Sequence, residues 1–100
     1  GLAVSSRNKY LSSEERTAAT VVYRSLIAVS ELFRQGERSG DVLKQAMELV
    51  LVDEPLADIE YVSISDIDSF VELRRVHKVA RALVSVKIGR ARLIDNMILA

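Results

Sequence analysis

The chain has 100 residues, with 14 basic side chains against 14 acidic ones, no cysteine and 49% hydrophobic content. That is the length of one small domain, too hydrophobic and too evenly charged for a disordered tail. Zero net charge creates no field to gather nucleic acid or anionic lipid, and the lack of cysteine excludes a disulfide framework or a thiolate zinc site.

A reducing, cytoplasmic setting suits such a composition. No uncharged apolar run reaches the ~18 residues of a membrane-spanning helix, so no membrane partner is expected. The N-terminus shows neither Met nor a basic-then-apolar signal pattern. Gly1 is expected to be a processing or cloning product or the edge of a longer polypeptide, and the second is favoured.

Ser5-Ser6-Arg7-Asn8 sets two hydroxyls, a guanidinium and a carboxamide in consecutive positions, behind a Gly1-Leu2-Ala3-Val4 lead. Short donors and one Arg at the start of a helix are what a phosphate asks for. Taken alone, these four residues read better as a solvated loop whose hydroxyls satisfy local backbone. Asn8 suits a turn at least as well as a ligand contact.

Ser12-Ser13-Glu14-Glu15 is a helix start: Ser12 caps, and Glu15 reaches back to the cap amide. Leu11, one residue before the cap, is placed to staple onto neighbouring apolar groups. Ala19, Val22, Leu26, Val29 and Phe33 recur at spacings of three and four, an apolar stripe that predicts a helix from about Ser13 to Gln35. Gly36 suits the left-handed position that stops it. After the polar connector Glu37-Arg38-Ser39-Gly40, a second helix is expected to bury Val42, Leu43, Ala46, Met47, Leu49 and Val50, and to end before Pro55.

The period then changes. Ile59 to Asp66 is rich in β-branched and aromatic residues with partial alternation, and reads as a strand. Asp66 to Ser69 looks like a turn, with Phe70, Val71 and Leu73 expected to plug the core. Val79 to Ile88 is the longest strand, with Ala80, Ala82, Val84, Val86 and Ile88 on one face and Arg81, Leu83, Ser85 and Lys87 on the other. Gly89-Arg90 predicts a hairpin turn into a third strand, Ala91 to Ile98. The expected fold is α+β: a two-helix hairpin packed on a small three-stranded antiparallel sheet.

Other polar residues carry little. Asp66 and Asp68 are too sparse for a calcium site. His77, flanked by Arg74, Arg75 and Lys78, is expected to be exposed. Those three cations with Arg81 read as a solvated face, because no aromatics interleave them. Asp95-Asn96 is read as polar residues ending a strand, with no chemistry, and no metal ligand set is assigned.

Gly1-Leu2-Ala3-Val4-Ser5-Ser6-Arg7-Asn8, with Tyr10-Leu11-Ser12 and Glu14-Glu15-Arg16 behind it, resembles a signature of the pantoate–β-alanine ligase (pantothenate synthetase) family. Gly89-Arg90-Ala91-Arg92-Leu93-Ile94-Asp95-Asn96 resembles that family's closing strand pair. Gly36-Glu37-Arg38 matches its usual connector, and Ile59-Glu60-Tyr61-Val62 its first strand. The likeness covers essentially the whole chain. Two departures stand out: Val4 where Met or Leu is usual, and Ser13 where Pro is usual.

The resemblance implies a C-terminal domain (residues 1–100) that acts as a lid over an active site, with residues 1–11 as a phosphate-binding loop at the domain junction. A Rossmann-like N-terminal domain with an H-x-G-H motif would supply the pantoate pocket and the rest of the ATP pocket. The implied reaction activates pantoate with ATP and Mg2+ to pantoyl adenylate. β-Alanine then attacks to give pantothenate and AMP, on the way to coenzyme A. By resemblance, Ser5 and Ser6 hydrogen-bond ATP phosphates, Arg7 is the catalytic electrostatic clamp, and Val4 packs near the base. The fragment is expected to be an inactive monomer, and the full-length enzyme a homodimer. The alternative is a stand-alone protein-interaction module that keeps the fold without catalysis. A nucleic-acid binder fits poorly with zero net charge and dispersed aromatics.

Overall fold

The computed structural model describes residues 12–100. Helix α1 runs Ser13–Arg34 and helix α2 runs Gly40–Val52, followed by strands β1 Ala57–Ser65, β2 Ala80–Ile88 and β3 Ala91–Leu99. The strands form one antiparallel sheet in the order β1-β2-β3. α1 lies against β2 and β3, α2 lies against β1, and the helices pack on each other. The expected architecture is present.

Both ends of α1 follow from local sequence. The Ser12 side chain accepts from the Glu15 N–H while Glu15 Oε1 accepts from the Ser12 N–H, a complete capping box. At the other end, Gly36 (φ 108°) turns left-handed. Its N–H reaches the Phe33 carbonyl, and the Glu37 N–H reaches that of Leu32, which closes the helix in a Schellman motif. The whole expected stripe, Ala19, Val22, Leu26, Val29 and Phe33, is buried, joined by Ala18 and Val21.

In α2 the expectation needs correcting. Leu43, Met47 and Leu51 are fully buried, whereas Val42 and Leu49 are exposed, with Val52 beside them. Apolar residues occur all round this helix, so periodicity alone could not choose its inner face. The choice is made by Gly40, whose N–H donates to the Arg74 carbonyl at 2.7 Å. A Cβ at position 40 would collide with the backbone carbonyl of Leu73. That approach fixes how α2 sits on the chain between β1 and β2.

The partial alternation of β1 has a physical cause. The register slips between Ile59 and Tyr61, leaving Glu60 as an extra residue. Before the bulge Ala57 and Ile59 pair with Ile88 and Val86; after it Val62 and Ile64 pair with Val84 and Ala82. All four therefore share the helix-covered face of the sheet. Without the slip, one half of the strand would point its apolar residues outward.

The connection between β1 and β2 also departs from expectation. Phe70 and Val71 do not plug the core; they are 58% and 62% exposed. Val76 is the buried plug, with Leu73 partly buried at the core margin. Phe70 holds a positive φ of 60°, which carries its ring to the surface near the Arg81 guanidinium, 5.4 Å from the ring centroid. Asp95 and Asn96 lie inside β3, paired with Val84 and Leu83, rather than at a strand end.

Candidate functional site

Val4, Ser5, Ser6 and Arg7, the residues expected to contact ATP, and Asn8 and Leu11 beside them, lie outside the described residues. The described structure fixes the platform to which that segment is joined. Ser12, Glu14 and Glu15 form the first turn of α1, and the β2–β3 hairpin turn at Gly89-Arg90 packs against it. Gly89 adopts φ 60°, which an L side chain rarely takes, and a Cβ there would collide with the Glu15 carboxylate. Arg90 is exposed at the tip of the same turn.

The start of α1 is not itself an open anion site. Its cap side chains already engage the Ser12 and Glu15 amides, and Glu14 and Glu15 set negative charge there. The positive end of the α1 dipole is therefore already answered by the protein's own groups.

Two polar clusters occur that the sequence pattern did not reveal. On the sheet face away from the helices, Arg92 of β3 grips Glu60 of β1 through Nε (2.7 Å) and Nη2 (2.8 Å). Ser85 of β2 donates to the same Glu60 Oε1 at 2.7 Å, so one carboxylate ties all three strands. The Arg92 hydrogen bond, with help from Ser85, holds the Glu60 carboxyl below its usual range and pushes the guanidinium up. The bulge at Glu60 was the available signal, since it breaks the alternation of β1.

The second cluster joins α2, β1 and the β1–β2 connection. Glu72 Oε1 lies 3.0 Å from Lys44 Nζ and accepts the Ile64 N–H, while Ser63 Oγ donates to Glu72 Oε2. Burial opposes ionisation of Glu72, but the hydrogen bonds from Ser63, Lys44 and Ile64 outweigh it, and its carboxyl titrates low. The hydrogen bond to Glu72 raises Lys44 in turn. Neither cluster holds a group poised to exchange a proton near neutral pH, so both read as fastenings.

The remaining candidates stay dull. Asp66 accepts from the Ser69 and Asp68 N–H groups and the Ser69 hydroxyl, and these contacts hold its carboxyl low; it closes a turn. His77 is exposed, as expected. A cleft of about 260 Å³ is lined by Asp66, Leu73, Arg75, His77, Lys78 and Val79. It sits at the Ala80 end of β2, the far end from Gly89, about 26 Å away at strand rise. Arg74, Arg75 and Lys78 are exposed, as a solvated face requires, while Arg81 is half-buried and its Nη1 donates to Asn96 Oδ1 at 3.0 Å. Among the described residues, no group of three or more His, Asp or Glu side chains could hold a metal ion, and no helix is long and apolar enough to cross a membrane.

The sequence and the fold have known relatives. Residues 1–98 match the family model described as pantoate-beta-alanine ligase. The chain is 58% identical over 99 residues to the pantothenate synthetase of Roseiflexus castenholzii, covering 99% of this chain and 36% of that protein. It is 47% identical over 100 residues to the pantothenate synthetase of Dehalococcoides mccartyi, covering 37% of that protein. The crystal structure of pantothenate synthetase from Thermus thermophilus superposes with a TM-score of 0.91 at 38% identity, over 97% of this chain and 35% of the other. The chain thus spans about a third of the length of the relatives it matches.

Proposed function

We propose, for a chain that belongs to the pantoate–β-alanine ligase family, that it is the C-terminal lid domain of an ATP-dependent ligase and lends phosphate contacts to an active site completed elsewhere in the polypeptide. The observation that carries this is the Ser5-Ser6-Arg7-Asn8 motif, ending four residues before the N-cap of a helix closed by a complete capping box, within a family match over residues 1–98. The chain spans only about a third of the length of its pantothenate synthetase relatives, which fits a part of the site better than a complete one.

In the proposed reaction a pantoate carboxylate oxygen attacks the α-phosphorus of ATP and pyrophosphate leaves, giving pantoyl adenylate. The β-alanine amine then attacks the acyl carbon, forming the amide and expelling AMP. No covalent enzyme intermediate is needed, so the protein acts by positioning and charge stabilisation. Arg7 would face the negative charge growing on the departing pyrophosphate, with Ser5 and Ser6 as hydroxyl donors to the phosphates and Val4 packing near the base. Magnesium belongs to the ATP phosphates in this scheme and enters with the substrate. The setting is cytoplasmic, and the dimer contacts belong to the N-terminal domain.

The test is ATP–pyrophosphate exchange in the full-length ligase. Arg7→Ala should slow pantoate-dependent exchange about a hundredfold, the cost of losing one preorganised donor of ~3 kcal/mol. An unchanged rate would remove the clamp. The 100 residues alone should show no turnover; turnover by them would refute the lid reading. A continuous upstream frame encoding H-x-G-H supports the ligase, whereas a start codon at Gly1 would favour an interaction module instead.

A further inference from the structure

The two stretches that carry the family likeness stand at opposite ends of the sequence, and the fold brings them together at Glu15. One carboxylate oxygen of Glu15 accepts the Ser12 N–H at 2.9 Å. The other lies over Gly89, where a Cβ would take its place. Ser12 is the residue through which the segment bearing Ser5, Ser6 and Arg7 joins α1. Its backbone is thus held by a side chain that is itself seated on the β2–β3 turn.

We infer that Glu15 is a positioning residue for the phosphate contacts of Ser5, Ser6 and Arg7, with glycine at position 89 leaving the space in which it sits. This rests on the phosphate reading above. A capping box holds the cap N–H, and with it the backbone of Ser12, against the first turn of the helix. Loss of Glu15 releases the Ser12 N–H; a side chain at position 89 displaces Glu15 and does the same from the other end of the sequence. The helix dipole accounts for an acidic residue here and the φ of 60° for a glycine at position 89, but it is the contact between the two that ties the cap to the β2–β3 turn. Misplacing a binding group by about 1 Å costs up to about a hundredfold in rate.

The experiment compares Glu15→Ala, Glu15→Gln, Gly89→Ala and Arg7→Ala in the full-length ligase, by pantoate-dependent ATP–pyrophosphate exchange and by the KM for β-alanine. Glu15→Ala and Gly89→Ala are expected to lower kcat/KM for ATP about tenfold or more, with the KM for β-alanine within about twofold of wild type. Glu15→Gln, whose amide oxygen still accepts the Ser12 N–H, should restore most of the ATP step. Wild-type ATP dependence in Glu15→Ala, with Arg7→Ala impaired, overturns the positioning role alone. Equal losses in the ATP and β-alanine steps would also overturn it, since they mark general damage to the fold. A wild-type Arg7→Ala overturns the phosphate reading and this inference with it. Should Gly89→Ala fail to fold, the two Glu15 variants carry the decision.

Discussion

The two ends of β2 are closed in opposite ways. At Ile88 the chain turns back through Gly89-Arg90 and pairs at once with β3, in unbroken register from Ile88↔Ala91 to Ala80↔Leu99. At Ala80 the strand is preceded by an irregular connection, residues 66–79, stitched to distant parts of the chain. The Gly40 N–H donates to the Arg74 carbonyl, the Val76 N–H to that of Arg38, and the Leu73 N–H to that of Ile64. Glu72 adds its bonds to Lys44, Ser63 and Ile64. A tight turn needs only the right residues in sequence; a long connection needs partners that the rest of the fold must deliver.

The comparison breaks most sharply at Gly40. Gly40→Ala forces a methyl into a backbone carbonyl that cannot move alone, so we expect a loss of about 3 kcal/mol by urea unfolding, at the upper end of overpacking costs. A loss below about 1 kcal/mol would show that the connection yields easily and is not a rigid partner of α2.

Gly89→Ala should cost less, about 2 kcal/mol, combining left-handed backbone strain with a weakened cap. The obstructing atoms there belong to the end of a flexible glutamate, which can swing aside. If Gly89→Ala proved the more damaging of the two, the order of rigidity between the ends would be reversed.

The Glu72 cluster sharpens the comparison through pH. Its folded carboxyl titrates below its usual 4.5, so the native state binds fewer protons there than the unfolded chain. The stabilisation is full above that ordinary value and disappears as pH falls through the lower folded one. Between about pH 6 and pH 3 the wild-type melting temperature should therefore fall further than that of Glu72→Gln. Parallel falls would mean that the connection is held without this carboxylate. Glu60 and Asp66, also held low, contribute acid sensitivity to both proteins alike.

The smallest effect is expected on the outer face of α2. Leu49 is 65% exposed, so Leu49→Ser should change stability by no more than about 0.5 kcal/mol. Met47→Ala, two positions away on the buried face, should cost about 3 kcal/mol through the cavity it leaves. Similar losses for the two would return α2 to the orientation that its sequence pattern first indicated.

The same contrast marks what was legible beforehand. Ser12 and Glu15 gave the start of α1, Gly36 its end, and Ala19 to Phe33 its inner stripe, because every interaction involved lies within a turn or two of helix. Gly89-Arg90 gave the hairpin for the same reason. Phe70 and Val71 were misplaced because hydrophobicity says that a side chain prefers burial, not that the backbone will aim it inward. Glu60, Ser85 and Arg92 could not be joined in advance, since Arg92 and Glu60 are 32 residues apart and meet only across three paired strands.

By itself, then, the sequence determined the helix caps, the tight turn, the alternation of β2 and the family, all of which rest on short-range chemistry or on residue identity. The tertiary structure alone decided which face of α2 is inside, where β1 slips register, and that Ser12-Ser13-Glu14-Glu15 and Gly89-Arg90 share one location. Each of those depends on a contact between residues far apart in the chain, and local preference carries no information about such a contact until the fold supplies the partner.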